Sequence, residues 1–229
     1  MSTEMEPAVW IIIGIVGLVA VLIPIAIKQL KKTDAQIADW VQENGWERVT
    51  DHQVEDTLAR SWFNPANRQI SRPWTMQVLR GRWQDRDAMS FMYGYKTPHD
   101  EPQFHVVALT LPVSLPLVAL APKGPATAIY APGPAPDLKL ESAEFNRTWT
   151  VHGSDHRFVS DFLHPRMMQR LLRADAVVNG VELFVSGNQL FTMRRGRTEL
   201  DRIDPSLRLL SDVAGLIPEH VLRSYGATR

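Results

Sequence analysis

The chain has 229 residues, 45% of them apolar and 22% charged, with 25 basic residues against 25 acidic ones. That composition belongs to a folded chain, and zero net charge argues against a strongly basic nucleic-acid binder or an acidic tail protein. Cysteine is absent, which excludes disulfides, Cys-ligated zinc, iron–sulfur clusters and thiol nucleophiles.

After a short leader, residues 1–7, the run Ala8 to Ile27 contains 20 residues and no charged side chain. At about 1.5 Å per residue a helix of that length spans roughly 30 Å, the hydrocarbon thickness of a bilayer, with its backbone bonds satisfied internally. Residues 8–27 are therefore predicted as a transmembrane helix. Trp10 stands at its headgroup end, and Lys28, Lys31 and Lys32 flank the other. The leader carries Glu4 and Glu6 but no Lys or Arg, and no A-x-A-like site closes the run. These features favour a retained anchor over a cleaved signal peptide. The lysines place residues 28–229 on the cytoplasmic side and the N-terminus outside. Gly14 and Gly17 are three apart, which is not the small-xxx-small spacing of a dimerising helix.

Residues 28–45 read as a basic juxtamembrane segment and a short helix. Thr33-Asp34-Ala35-Gln36 has the capping-box form, Ile37, Trp40 and Val41 share a face, and Gly45 stops the helix. Residues 46–229 are predicted as one α+β domain of antiparallel strands and hairpins with packed short helices. Trp46 to Thr50 is a first strand, and 51–73 is irregular with a short helix at Val54–Arg60. Trp74, Met76 and Val78 alternate with Thr75 and Gln77, and Met89, Phe91, Tyr93 and Tyr95 recur at every second position. The polar turn at 84–87 joins the two runs as a hairpin. Phe104–Leu111 reads as a central strand and Leu115–Leu120 as another, with Pro112 and Pro116 demoting its ends. Residues 122–136, rich in proline, form a connecting loop.

Trp149–Val151 follows as a short strand. Ser154 then caps a helix bearing Phe158, Val159, Phe162 and Leu163. His164-Pro165 starts a second helix with Met167, Met168, Leu171 and Leu172 inward and Arg166, Arg170 and Arg173 outward. Val181–Val185 and Gln189–Arg194 are expected to form a hairpin through Ser186-Gly187-Asn188. Asp204-Pro205 opens a last helix that Pro218 ends.

The chemistry-bearing candidates are few. Glu141 and Glu144 would lie side by side on a helical turn and could bind a cation or share a proton. The competing reading makes Glu141 and Ser142 a cap, Phe145 core and Asn146 a backbone clip. His152 and His156 have the i, i+4 spacing of zinc ligands, but Gly153 and Ser154 break the helix between them and no H-E-x-x-H exists. Gly153-Ser154-Asp155-His156 holds the three residue types of a hydrolase triad, yet triads act through spatial geometry, and G-x-S-x-G is missing. Arg194, Arg195 and Arg197, with Arg202, could touch phosphate, lipid headgroup or RNA, diluted by Glu199, Asp201 and Asp204. Neither a P-loop nor a G-x-G-x-x-G helix opening is present. No metal, cofactor or nucleic-acid partner is implied.

The stretch Leu138-Lys139-Leu140-Glu141-Ser142-Ala143-Glu144-Phe145-Asn146 is followed by Trp149–Val151 and by Phe162-Leu163-His164-Pro165-Arg166-Met167-Met168. This order resembles a family of bacterial, actinobacterial-type membrane-anchored proteins of unknown function that carry an L-E-S-x-E-F-N element. The resemblance implies a membrane anchor and an α+β domain and supplies no catalytic residue. The expectation is a single-pass, non-enzymatic accessory module at the cytoplasmic membrane, with the bilayer and a protein of a membrane complex as partners. The alternative is a membrane-tethered lipid or small-ligand sensor with a pocket between the sheet and the Phe158–Leu172 helices. An enzyme using Glu141, Glu144 or the His152–His156 region ranks third.

Overall fold

The computed structural model describes residues 33–49, 71–96, 98–123, 137–177 and 181–226. The chain divides into two compact units, residues 1–45 and 46–229. The 8–27 run with Trp10, Lys28, Lys31 and Lys32, the helix expected at Val54–Arg60 and most of the proline-rich loop lie outside the described residues. Among the described residues no helix is long and apolar enough to cross a membrane. In the first unit, α1 (33–44) ends where its sequence says it should. Gly45 takes a positive φ of 65°, and Asn44 Nδ2 donates to Trp40 O at 2.8 Å.

The second unit is α+β, built on one antiparallel sheet. Its strands are β1 (Glu47–Arg48), β2 (Ser71–Trp83), β3 (Arg86–Lys96), β4 (Gln103–Pro122), β5 (Trp149–Gly153) and β6 (Glu182–Arg195). β1 through β5 lie in chain order, and β6 pairs with β4. The expected hairpin is there. β2 and β3 meet at Trp83↔Arg86 across Gln84 and Asp85, with Gln84 at a φ of 57°. The expected alternation in β2 fails. Thr75 is buried while Met76 is 49% exposed, and both Val78 and Leu79 are buried. Gln77 sits at a φ of 52°, inside a register shift between Met76 and Leu79. A bulge adds a residue to one strand and so reverses the faces beyond it. β2 also starts at Ser71, inside the stretch read as irregular.

β4 is the backbone of the sheet. The two runs read as separate strands are one 20-residue strand passing through both prolines. Proline has no N–H to give a ladder, and the register shifts in the β4–β6 pairing fall at Thr110/Leu115 and Leu115/Val118, around Pro112 and Pro116. The first half of β4 pairs with β3, the second half with β5, and β6 lies along both. Pro122, assigned to the loop, is the last strand residue and faces Trp149.

The second expected hairpin does not form. Val185 and Leu190 belong to one 14-residue strand, and both its halves pair with β4. Gly187, at a φ of 58°, supplies a bend rather than a strand-to-strand turn. The Phe184 and Phe191 rings nevertheless stack at 5.0 Å and 11°. Seven residues of straight strand would separate them by about 23 Å. β6 and its partner β4 therefore fold over at Gly187, and the sheet rolls around its own inner face. That face buries Val78, Phe91, Tyr93, Phe104, Val106 and Phe191, with Ala119 and Phe184 contributed from beyond the bend.

Helices cover the other side. α2 (Ala143–Thr148) leads into β5. α3 (His156–Phe162), α4 (Pro165–Leu171) and α5 (Ala174–Val177) follow it, and α6 (Ile203–Leu216) and α7 (Glu219–Gly226) close the unit. Pro165 opens α4 as expected, but Asp155, not Ser154, caps α3. Its Oδ1 accepts from the Arg157 and Phe158 amides at 2.9 and 3.1 Å. The Ser154 amide instead donates to Leu117 O at 3.2 Å. Pro218 ends α6, but α7 follows it, so α6 is not the last helix.

Candidate functional site

The L-E-S-x-E-F-N element folds as a local staple. Ser142 Oγ caps α2 by accepting from the Phe145 amide at 3.2 Å, and Phe145 is fully buried against Trp149. The Asn146 side chain accepts from the Leu140 amide at 3.0 Å and donates to the Leu140 carbonyl at 2.6 Å. Glu141 precedes the cap and Glu144 sits in the first turn, both exposed. The two carboxylates do not share one regular helical turn, because the cap falls between them. His152 ends in β5 and His156 begins α3, so no single helix carries both rings.

The basic cluster splits up. Arg195 Nη2 donates to Asp100 Oδ2 at 2.8 Å on the surface, and Arg197 is exposed. Arg170, expected to face outward, is 8% exposed. Its Nε donates to Asp212 at 2.8 Å, and its two Nη atoms donate to Asp175 at 3.2 and 2.7 Å. A bidentate guanidinium held at both ends ties α4 to α5 and α6. Burying the charge is tolerable because two carboxylates meet it.

Arg194 and Arg202 converge at a cavity between the outer face of β4–β6 and the start of α6. The walls bring His105 and Val107 from β4, Thr192 and Arg194 from β6, and Ser206 and Leu209 from α6. The space left for atom centres is about 30 Å³. Two waters or one compact oxyanion fit that volume, since a single water needs roughly 10–15 Å³. Arg194 Nη1 is buried without a hydrogen-bond partner, and its ion pair with Glu199 Oε2 stands at 3.7 Å. Arg202 Nε reaches the same Glu199 oxygen at 3.3 Å.

A solved structure shares this architecture. The crystal structure of the mycobacterial trehalose monomycolate transport factor A, TtfA, matches 84% of this chain and 96% of its own length, with a TM-score of 0.52 and 14% identity. A match at that identity shows the fold. No family model and no curated protein matches the chain.

His105, one wall of the cavity, is 5% exposed and was not singled out by any spacing in the sequence. Its Nδ1 accepts from the Glu199 amide at 3.4 Å, and its Nε2 lies 2.9 Å from Ser90 Oγ. An imidazole that accepts at Nδ1 carries its proton on Nε2 when neutral, so His105 donates to Ser90. That is the reverse of nucleophile activation, in which the imidazole must receive the serine proton. Ser90 is moreover fully buried. Burial first, and then the neighbouring Arg194 charge, push the His105 pKa down to about 4, with Asp201 opposing. The ring is neutral at physiological pH, and the Ser90–His105 pair is a structural tie between β3 and β4.

Glu182, at the start of β6, is the other group that sequence reading missed. It is 3% exposed, and neither carboxylate oxygen has a partner. Burial pushes its pKa up to about 8. No spacing marks either residue, because each acquires its properties from strands distant in sequence.

Proposed function

We propose that the chain is a membrane-anchored, non-catalytic accessory factor whose α+β unit engages a membrane complex concerned with lipid. The observation that carries the reading is the fold it shares, over 84% of its length, with a protein described as a trehalose monomycolate transport factor. The uncharged 8–27 run followed by Lys28, Lys31 and Lys32 supports anchorage with the large unit on the cytoplasmic side. The L-E-S-x-E-F-N stretch supports placing the chain among bacterial membrane-anchored proteins. In this reading the domain contributes surface and positioning to a partner, and chemistry belongs to the complex.

Co-purification of the full chain from membranes in mild detergent tests this directly. A stoichiometric membrane-protein partner is the expected result. Repeated recovery of the chain alone, or of unprocessed full-length protein from the detergent-free supernatant, refutes it. Protease added to sealed inverted vesicles should digest the large unit, whereas digestion in intact cells reverses the orientation.

A further inference from the structure

We propose that Glu182 is a proton-held latch at one end of the rolled sheet. Protonated, it stays packed on the inner face and β6 is closed to its first residue. Ionised, it withdraws into solvent, and the start of β6 lifts from β4 and uncovers that end of the inner face. The device belongs to the α+β unit and stands whether or not the chain has a membrane partner.

Position is the first ground. Glu182 is the first residue of β6. Side chains two apart on a strand share a face, so Glu182 points with Phe184 into the core that Phe104 and Ala119 also build. The β4–β6 register runs as far as Leu120↔Leu183, one residue short of Glu182. The carboxyl is thus buried in the core yet carried by the strand residue that the ladder ties least.

The second ground is what surrounds it. Among the described residues, the titratable or charged groups at this end of the face are Tyr95 from β3, His152 from β5 and Arg195 from the far half of β6. β4 brings Phe104, Ala119 and Ala121, which carry no charge. Arg195 is turned to the surface, where its Nη2 donates to Asp100 at 2.8 Å. Tyr95 is half-buried and its phenol is pushed up by burial first; Arg195 opposes, and the Glu182 and Asp100 charges add to the rise. Both Glu182 oxygens are nevertheless without a hydrogen-bond partner.

A neutral carboxyl is tolerable in such a place, and a carboxylate is not. Burial holds the proton on Glu182 until about pH 8, against 4.5 in water. At tenfold per pH unit, ionisation favours a solvated Glu182 over a buried one by about 3,000-fold. An opening that the protonated strand end makes in one molecule of about 3,000 therefore matches the closed, protonated state at pH 8. Lifting a strand end breaks few ladder bonds, whereas global unfolding breaks them all, so the local route is the cheaper one. Tyr95 stays neutral through this range, and Arg195 stays charged. The latch makes the end of the inner face that holds Tyr95 and Phe104 accessible in the ionised form alone.

Hydrogen–deuterium exchange of the full chain in mild detergent, read by mass spectrometry as protection factors at pH 6 and pH 8.5, tests the latch. Overlapping peptides isolate residues 182–184 and the centre of β3 at Phe91–Tyr93. At pH 6 both regions should be protected. At pH 8.5 protection at 182–184 should fall below about tenfold, while the centre of β3 keeps at least about 1,000-fold. Glu182→Gln should hold 182–184 at its pH 6 protection, which separates the response from any titration of His152. A start of β6 that stays protected at pH 8.5, or is unprotected already at pH 6, overturns the proposal. So does loss of protection to the same level in both regions, or the same loss in Glu182→Gln. If Glu182→Gln does not fold, Glu182→Met, as long and without charge, carries the same test.

Discussion

Replacing Glu182 by Gln removes the one described carboxylate that the fold buries without any partner. The unfolded chain ionises such a group near 4.5, whereas the folded protein holds its proton until about pH 8 because burial disfavours the anion. Below pH 4.5 both states bind the proton, and the group makes no difference to stability. Between 4.5 and 8 the unfolded state releases it first, so wild-type stability falls as pH rises. Above 8 the loss is complete. The displacement from 4.5 to about 8 is worth roughly 5 kcal/mol at about 1.4 kcal/mol per tenfold, an upper limit that structural relaxation lowers. Solvent screening takes little from it, since the side chain is out of water.

Gln is nearly isosteric and cannot ionise. Urea unfolding of wild type and Glu182→Gln at pH 5 to 9 reads the difference directly. The two should match within about 1 kcal/mol at pH 5, and the variant should be the more stable by several kcal/mol at pH 9. Every other titrating group cancels in the comparison. Parallel stability profiles would show that Glu182 is solvated or partnered, and the reasoning from burial would fail.

His105 displaces stability in the opposite direction. Its folded pKa of about 4 lies below the ordinary 6.5, so its contribution is complete above 6.5 and is lost as pH falls toward 4. The ring resonances in a proton NMR titration should stay neutral to about pH 5. Asn146→Ala should cost about 2 kcal/mol by breaking both bonds to the Leu140 backbone, while Glu141→Gln and Glu144→Gln stay within about 0.5 kcal/mol in the same denaturation assay. Gly187→Ala forces a side chain into a φ of 58°, and thermal unfolding should show a loss of about 1–2 kcal/mol. A neutral result would remove the strain argument for the bend.

The bend also separates local from long-range information in this protein. The stops, starts and short elements were readable one window at a time. Gly45 ends α1, Pro165 opens α4, Pro218 closes α6, and the short polar turn at Gln84-Asp85 between two apolar-rich runs marks a hairpin. Each depends on backbone sterics or capping within a few residues. The Gly187 region was misread for a definite reason. A Ser-Gly-Asn turn between two apolar runs looks the same whether those runs pair with each other or with a third strand. The choice belongs to β4, whose partner edge the local window does not contain. The bulge at Gln77 reversed the faces of β2 in the same way, without altering any local propensity.

Composition and periodicity therefore determined an α+β chain, and backbone sterics at Gly45, Pro165 and Pro218 marked three of its helix ends, whereas the cap of α3 went to Asp155 and not to Ser154. Tertiary structure alone decided which charges are matched. Arg170, Arg194 and Arg195 look alike in the chain. One is clamped by two aspartates, one is left with a buried donor at a cavity, and one is exposed on the surface against Asp100. The desolvation that distinguishes them, and that displaces Glu182 and His105, comes from strands and helices brought together across long stretches of chain. Local spacing carries no record of it.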